Sequence, residues 1–521
     1  MAWSVYLAEY ATKAKCAVVN RPKRITITNE LGNAQTLPDD KGQFEIIPGG
    51  PQTVFLGLGP APGKLVDYFP RNIEARYIEH PEIARQIEKW DSRIPATMTP
   101  LSPEAFTPEM AGKCTIIRYR PGLKAFPSFW GPLTARTATS RLQPGTTSKS
   151  VWLPLGEADL LSKELTAAFE EQGYTVRALD REQLERSPGT VLPDLLQQET
   201  PELFLSVNFK GLEPFGLGFN LLREAGVPGA IWLVDNPFNI LTSVKSGYWK
   251  EANLFVTDHS FIGPLMKYGA SHVTHLPLAT SPRFFDQAGT LPDHAGGLED
   301  RLVFVGRSEF PGKNRFFAGL TPNQLLLQNA VAMLDEGERP HFHWWEEHIR
   351  AQLWPGNKIR HVGIGAEVAG YTWKVRCLSA AGDATVIFGD DKWSIINGIT
   401  ADTRPFVDYY AHLPAIYRTA AATLNITGLQ LPAGLTQRHF DVWAAGGFLL
   451  TDNNPGLKLF PEDLCGPTTF RTASEIPNLF AQFKDENHEK SALRDAWRQH
   501  ILNNHTYVHR ITTILETIQS P

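Results

Sequence analysis

Residues 434–452 read GLTQRHFDVWAAGGFLLTD. The pattern predicts a loop, a helix, a Gly-Gly stop and a buried strand. Thr436 is placed to cap the helix, because a threonine hydroxyl accepts a first-turn N–H. Phe440, Trp443 and Ala444 follow the i, i+3, i+4 spacing of a core-facing side. Gly446 and Gly447 end the helix, and Phe448 to Thr451 form a short apolar strand. Arg438 and Asp441 remain near the helix start, three residues apart and so on one side. Free N–H groups at a helix start, with an Arg beside them, suit a diphosphate. A carboxylate one turn on suits ribose hydroxyls. An ordinary amphipathic helix with a solvated Arg and Asp has the same pattern, and these residues alone leave both readings open.

The helix-then-strand rhythm continues upstream. Val151–Pro154, Thr175–Leu179, Leu203–Val207, Ala230–Val234 and Leu254–Thr257 read as strands. Asp159 to Gln172 reads as a helix with Leu160, Leu161, Leu165 and Phe169 on one face, stopped by Gly173. A second series follows at Leu302–Val305, Phe342–Trp345, Thr385–Phe388, Thr423–Ile426 and Phe448–Thr451, and the last 30 or so residues read as helical. Such alternation predicts parallel sheets covered on both faces, with ligands at the carboxyl ends of the strands. Asp235 and Asp258-His259 stand at two such ends in the first series. Gly306-Arg307 and Lys313 stand in the first strand-to-helix loop of the second.

The chain has 521 residues, 42% hydrophobic and 20% charged, with a net charge of −5. That is a globular composition with room for two or three domains, and it lacks the basic excess of a long nucleic-acid footprint. Cys16, Cys114, Cys377 and Cys465 give neither metal spacing nor a disulfide framework, which fits a reduced cytoplasm. Glu9, Lys13 and Lys15 interrupt the start, so no signal peptide is read there. No apolar run reaches membrane-spanning length.

Ahead of these series, residues 53–60 (TVFLGLGP) run from a strand into a glycine-rich turn, Gly57-x-Gly59-x-x-x-Gly63. Arg76-Tyr77-Ile78-Glu79 then reads as a strand ending in an acid. This is the layout of a cofactor-binding βαβ unit. Pro60 and Pro62 crowd the turn, and too few elements follow to complete the domain. It resembles a methyltransferase-type Rossmann remnant. Residues 120–150, rich in Pro, Gly, Ser and Thr, read as a linker anchored by Phe129-Trp130.

From about residue 200 to 515 the chain resembles the CgeB-type (spore-maturation) glycosyltransferases. The resemblance rests on Arg438-His439-Phe440-Asp441, Ala444-Ala445-Gly446-Gly447 and Phe448 to Asp452. It also rests on Leu413-Pro414-x-Ile416-Tyr417, Leu424-Asn425-Ile426 and His505-Thr506-Tyr507-x-x-Arg510. Asp441 stands where that family usually carries Glu. A Trp-x-x-Asp-x-Pro run ending the strand before Asn236 is similar as well. The resemblance implies an α/β, GT-B fold: two Rossmann-like domains facing a cleft, with an extra N-terminal α/β segment. The expected parts are 1–145 (extra segment), 150–285 (acceptor side), 300–490 (nucleotide-sugar side) and 491–521 (a helix crossing back), with a hinge in 286–300.

The implied activity is metal-independent transfer of a sugar from a nucleotide sugar, a UDP-sugar or another nucleoside diphosphate sugar, to an acceptor hydroxyl. No cofactor is expected. A protein, a surface glycan and a lipid-linked sugar all remain open as acceptors. The donor residues would be Gly306, Arg307, Lys313, Thr436, Arg438 and Asp441. The catalytic base would be Asp235 or Asp258, with His259 behind them. Each Asp equally suits a helix cap. Gly389-Asp390-Asp391 is not the Asp-x-Asp of metal-dependent transferases. His341, His343 and His348 are interleaved with aromatics as in a strand. The alternative is a non-catalytic nucleotide-sugar-binding scaffold that recruits a partner through residues 1–145.

Overall fold

A computed structural model describes residues 25–72, 74–156, 159, 161–286 and 289–519. The expectations resting on Glu9, Lys13, Lys15, Cys16 and Leu160 fall outside them. The chain divides at Ser140/Arg141 into two units.

In the first unit, the strands Gln52–Leu56, Ala75–Ile78 and Met98–Pro100 run parallel beside Cys114–Tyr119, and Phe44–Ile47 closes one edge antiparallel. The sheet is therefore more complete than a remnant. Gly57 and Gly59 hold φ of +84° and +71°, which only glycine adopts cheaply. The stretch expected to be a linker is instead mostly helix, Arg120–Ala125 and Pro127–Thr139. Pro121 and Pro127 sit in the first turns, where the missing N–H costs nothing, and Pro132 lies inside the second helix, so a Pro-rich composition misled.

The second unit holds two six-stranded parallel sheets. In the first lobe the order runs His272–His275, Asn253–Val256, Gly229–Leu233, Glu199–Val207, Thr146–Leu153, Thr175–Ala178. In the second lobe it runs Asp402–Arg404, Thr385–Phe388, Leu302–Val305, Ala422–Asn425, Leu449–Asp452, Thr469–Phe470. The strand order of the second lobe reverses between Leu302–Val305 and Ala422–Asn425. Ligands of open parallel sheets bind outside such a reversal. Phe342 to Trp345 is not a strand but opens the helix Phe342–Ile349. Phe342 and Trp345, one turn apart, are both fully buried, and the His341 side chain caps the start.

The chain crosses between lobes twice, and the crossings touch. Thr280 N–H donates to the His505 carbonyl at 2.9 Å, and Tyr507 N–H donates to the Thr280 carbonyl at 3.0 Å. The last helix, Tyr507–Gln519, then packs Tyr507, Ile511 and Ile514 into the first lobe's core with Val151, Phe169 and Trp232. Two Rossmann-like lobes with a terminal helix returning to the first make up the GT-B architecture.

Candidate functional site

The loops at the carboxyl ends of the two sheets meet. The Asn236 side chain caps the helix Pro237–Leu241 and donates to the Gln430 carbonyl at 2.9 Å. Asp258 accepts from Ser260 N–H and, across the lobes, from Ala433 N–H, both at 2.9 Å. It is 1% exposed. Asp258 is thus a cap and an inter-lobe tie, and its carboxyl is closed to a substrate. That corrects its reading as a base. Asp235 lies at the end of the neighbouring strand and is exposed. It accepts a hydrogen bond from the Asn208 amide at 2.8 Å. Protein atoms crowd it nevertheless, and that desolvation raises its pKa above the ordinary carboxylate value, against the pull of Asn208. An open yet crowded carboxyl is one set in a recess. His259 is exposed, with its ring 5.4 Å from that of His275.

Across from these, the turn 305–308 leaves the first strand of the second lobe. Arg438 donates from Nη1 to the Val305 carbonyl and from Nε to Asn425 Oδ1 at 2.8 Å, and its guanidinium carbon lies 5.6 Å from the Phe304 ring centre. It is therefore tied to both strands of the reversal. Lys374, on the long helix Ile359–Ala381, donates to the carbonyls of Arg307 at 3.1 Å and Ser308 at 3.3 Å. Neither cation forms an ion pair among the described residues. Burial lowers the proton affinity of both, and at Lys374 the Arg438 charge lowers it further, against the pull of the Glu367 and Asp390 carboxylates. Two half-buried like charges on one turn, neither within ion-pair distance of a carboxylate among the described residues, form a ready seat for an anion. Lys374 carries no local signal in the sequence and was missed.

Gly306 belongs to this turn for steric reasons. A Cβ there would lie 3.1 Å from the Phe304 ring. Its carbonyl accepts the Trp393 indole N–H at 2.9 Å. Asp390 fixes the turn by accepting from Ser308 N–H at 2.8 Å and Ser308 Oγ at 2.7 Å. Arg307 is exposed, its guanidinium 4.5 Å from the Phe406 ring centre. Lys313 is committed elsewhere, paired with Glu309 at 2.8 Å and 3.9 Å from Glu367. Its charge is largely spent before any phosphate arrives.

The opening stretch forms the expected helix, Arg438–Ala444, but its supports differ from those read in the sequence. Thr436 is not the cap. Its hydroxyl is drawn to Asn425 Oδ1 at 2.9 Å, and its N–H donates to His439 Nδ1 at 3.0 Å. His439 is buried and held neutral, with burial pushing it down to about 4. All of 439–444 is buried, and Trp443 stacks on Trp497 with ring centres 4.9 Å apart. Asp441 is 1% exposed. It accepts from Thr280 Oγ1 at 2.8 Å, from the Tyr409 hydroxyl and from Gln437 Nε2 at 3.4 Å. Burial pushes it up to about 8 against those donors. With its oxygens enclosed, Asp441 is shut off from a ribose in this arrangement and instead ties the helix to the inter-lobe crossing.

The histidines of the 341–348 segment are engaged separately. His341 caps its helix, His343 pairs with Glu346 at 3.0 Å, and His348 Nδ1 lies 2.8 Å from the Trp344 carbonyl. Among the described residues no three His, Cys, Asp or Glu side chains converge, and no helix is long and apolar enough to cross a membrane. In the first unit, Glu79 turns its carboxylate onto the glycine turn. It accepts from Leu58 N–H at 2.8 Å and His80 N–H at 2.9 Å. The Tyr119 side chain lies against Gly57 and Gly59, where added Cβ atoms would come within 3.0 Å of its Cβ and 3.2 Å of its ring. The protein itself thus fills the place where a cofactor's ribose and phosphate would lie.

Residues 360–516 match a protein family described as glycosyl transferase-like. No curated protein matches the chain. Among solved structures, HepE of Anabaena, in complex with UDP and glucose, is similar at 12% identity and a TM-score of 0.40, over 72% of this chain and 100% of that one. The UDP-forming α,α-trehalose-phosphate synthase of Burkholderia vietnamiensis is similar at 12% identity and a TM-score of 0.38, over 90% and 99%. The β-glucosyltransferase of phage T4 is similar at 8% identity and a TM-score of 0.39, over 71% and 99%.

Proposed function

We propose that the chain is a glycosyltransferase of the CgeB type, moving a sugar from a nucleoside diphosphate donor to an acceptor hydroxyl. The observation that carries this reading is the pair of cations, Arg438 and Lys374, held on the turn 305–308 at the strand-order reversal by backbone and amide oxygens rather than by close ion pairs. The diphosphate lies against them, close to the backbone at Gly306, with Arg307 at the rim. As the bond from the sugar's anomeric carbon to the phosphate oxygen breaks, negative charge grows on the leaving group. Fixed cations stabilise that charge more than they stabilise the intact donor. The acceptor oxygen forms the new bond to the anomeric carbon and gives up its proton to Asp235. Burial raises its pKa above the ordinary carboxylate value and so makes it a stronger base than a solvated aspartate. In a reaction that retains configuration, the leaving phosphate oxygen takes that proton instead.

Calorimetric titration with UDP and uridine tests the seat, and hydrolysis of a panel of nucleotide sugars tests turnover. Each lost charge-assisted contact costs about 1.5–3 kcal/mol, or about ten- to a hundredfold in affinity. Arg438→Ala and Lys374→Met should each weaken UDP by that factor, with a far smaller effect on uridine. Unchanged UDP affinity in both folded variants would overturn the assignment.

A further inference from the structure

A cavity of about 240 Å³ lies away from the cation pair, where three chain segments of the second unit converge. The helix Ser162–Glu171 supplies Glu164, Ala168 and Glu171. The inter-lobe crossing supplies Ser281 and Phe285, and the head of the last helix closes the cavity around Thr506. Two of the polar groups here are buried. Ser281 is 3% exposed, and its hydroxyl has no partner among the described residues. Glu164 is also 3% exposed; its Oε2 accepts from the Tyr410 hydroxyl at 3.0 Å, and the Arg283 and Lys163 charges reach it as well. A buried hydroxyl left without a partner costs about as much as a lost hydrogen bond, so the site is built for something that would satisfy it. Glu171 and Asp286 are exposed at the same cavity.

The polar groups are carboxylates and a hydroxyl, and the intervening wall is alanine, phenylalanine and tyrosine. Only a ligand with donors at its ends and an apolar middle complements that lining. An anion would meet carboxylates, and a fully polar ligand would lose its hydration to apolar walls. We propose that this cavity binds a small aliphatic diamine. One ammonium donates to Glu164 and to Ser281 Oγ, the chain lies along Ala168 and Phe285, and the other ammonium faces Glu171 and Asp286. Occupancy clamps both crossings to the first lobe, because two of the lining segments are the crossings and the third, Ser162–Glu171, is a first-lobe helix.

The test is isothermal titration of the full chain with 1,4-diaminobutane, alongside 1,4-butanediol of equal length and no charge. One saturable site is expected for the diamine and none for the diol. Glu164→Gln keeps an acceptor for Tyr410, and Ser281→Ala removes no hydrogen bond, so both variants should fold. Each should weaken the diamine, Glu164→Gln by about tenfold or more. UDP affinity should stay as in the wild type, which separates this site from the donor seat. Absence of saturable diamine binding, equal binding of the diol, or an unchanged dissociation constant in both variants would overturn the proposal.

Discussion

Replacing Asp441 by Asn tests whether its carboxyl is sealed into the junction between the lobes. In the folded chain burial pushes its pKa up to about 8, from an ordinary value of 3.8. The folded state therefore keeps the proton over a range in which the unfolded chain has already released it. Across that window the native state binds more protons than the unfolded one. Its stability must then fall as pH rises, by about 1.4 kcal/mol per unit. From pH 5 to 8 the loss reaches about 4 kcal/mol as an upper bound, and above 8 it levels off. Asn cannot titrate, and it offers one acceptor and one donor group, as the protonated acid does. The variant should thus match the wild type near pH 5 and exceed it increasingly towards pH 8. Urea unfolding followed by tryptophan fluorescence at pH 5, 6, 7 and 8 measures the difference. A difference that stays constant across this range would mean that Thr280, Tyr409 and Gln437 keep the carboxylate ionised, and the reasoning would fail. A large loss of uridine affinity in a fully folded Asn variant would instead return Asp441 to the ribose.

Asp235→Asn should abolish sugar transfer while leaving UDP affinity nearly unchanged, as measured by turnover and calorimetry on one preparation. Full activity would remove it as the base. Asp258→Asn should lower the melting temperature, because its new amide would face either Ser260 N–H or Ala433 N–H. A buried unsatisfied donor costs about 1–3 kcal/mol, and the folded fraction should still turn over. The first unit should not bind S-adenosylmethionine at micromolar concentrations, since Glu79 and Tyr119 fill its glycine turn. A tight calorimetric complex would contradict that.

The strands that were legible in the sequence are those with central, apolar positions. Leu302–Val305 and Leu449–Asp452 pair on both sides; the first is an unbroken hydrophobic run, and the second opens on two leucines after Phe448. The edge strands Asp402–Arg404 and Thr469–Phe470 did not announce themselves, being two or three residues long and partly polar. His341 to Trp345 alternates as a strand does, yet it is one helical turn whose burial falls on Phe342 and Trp345. Arg438 was found because its neighbours form a recognisable run. Lys374 could not be, as a single lysine midway along a 23-residue helix marks nothing until that helix is laid beside the turn 305–308. The closure of Asp441 depends on Tyr409 and Thr280, which lie 32 and 161 positions away along the chain. No local pattern carries that information.

The return of the last helix sets an order on folding during synthesis. The first lobe's sheet is complete once His275 has been made, but Tyr507, Ile511 and Ile514 fill its core only after the whole second lobe has been made. At about 5–20 residues per second, the nascent lobe waits some tens of seconds with an open apolar trough beside Val151 and Phe169. The second lobe is translated in that interval. A ribosome stalled between the two crossings would therefore present a first lobe that is fully encoded in its strands and still unsealed, the form most exposed to chaperones and to self-association.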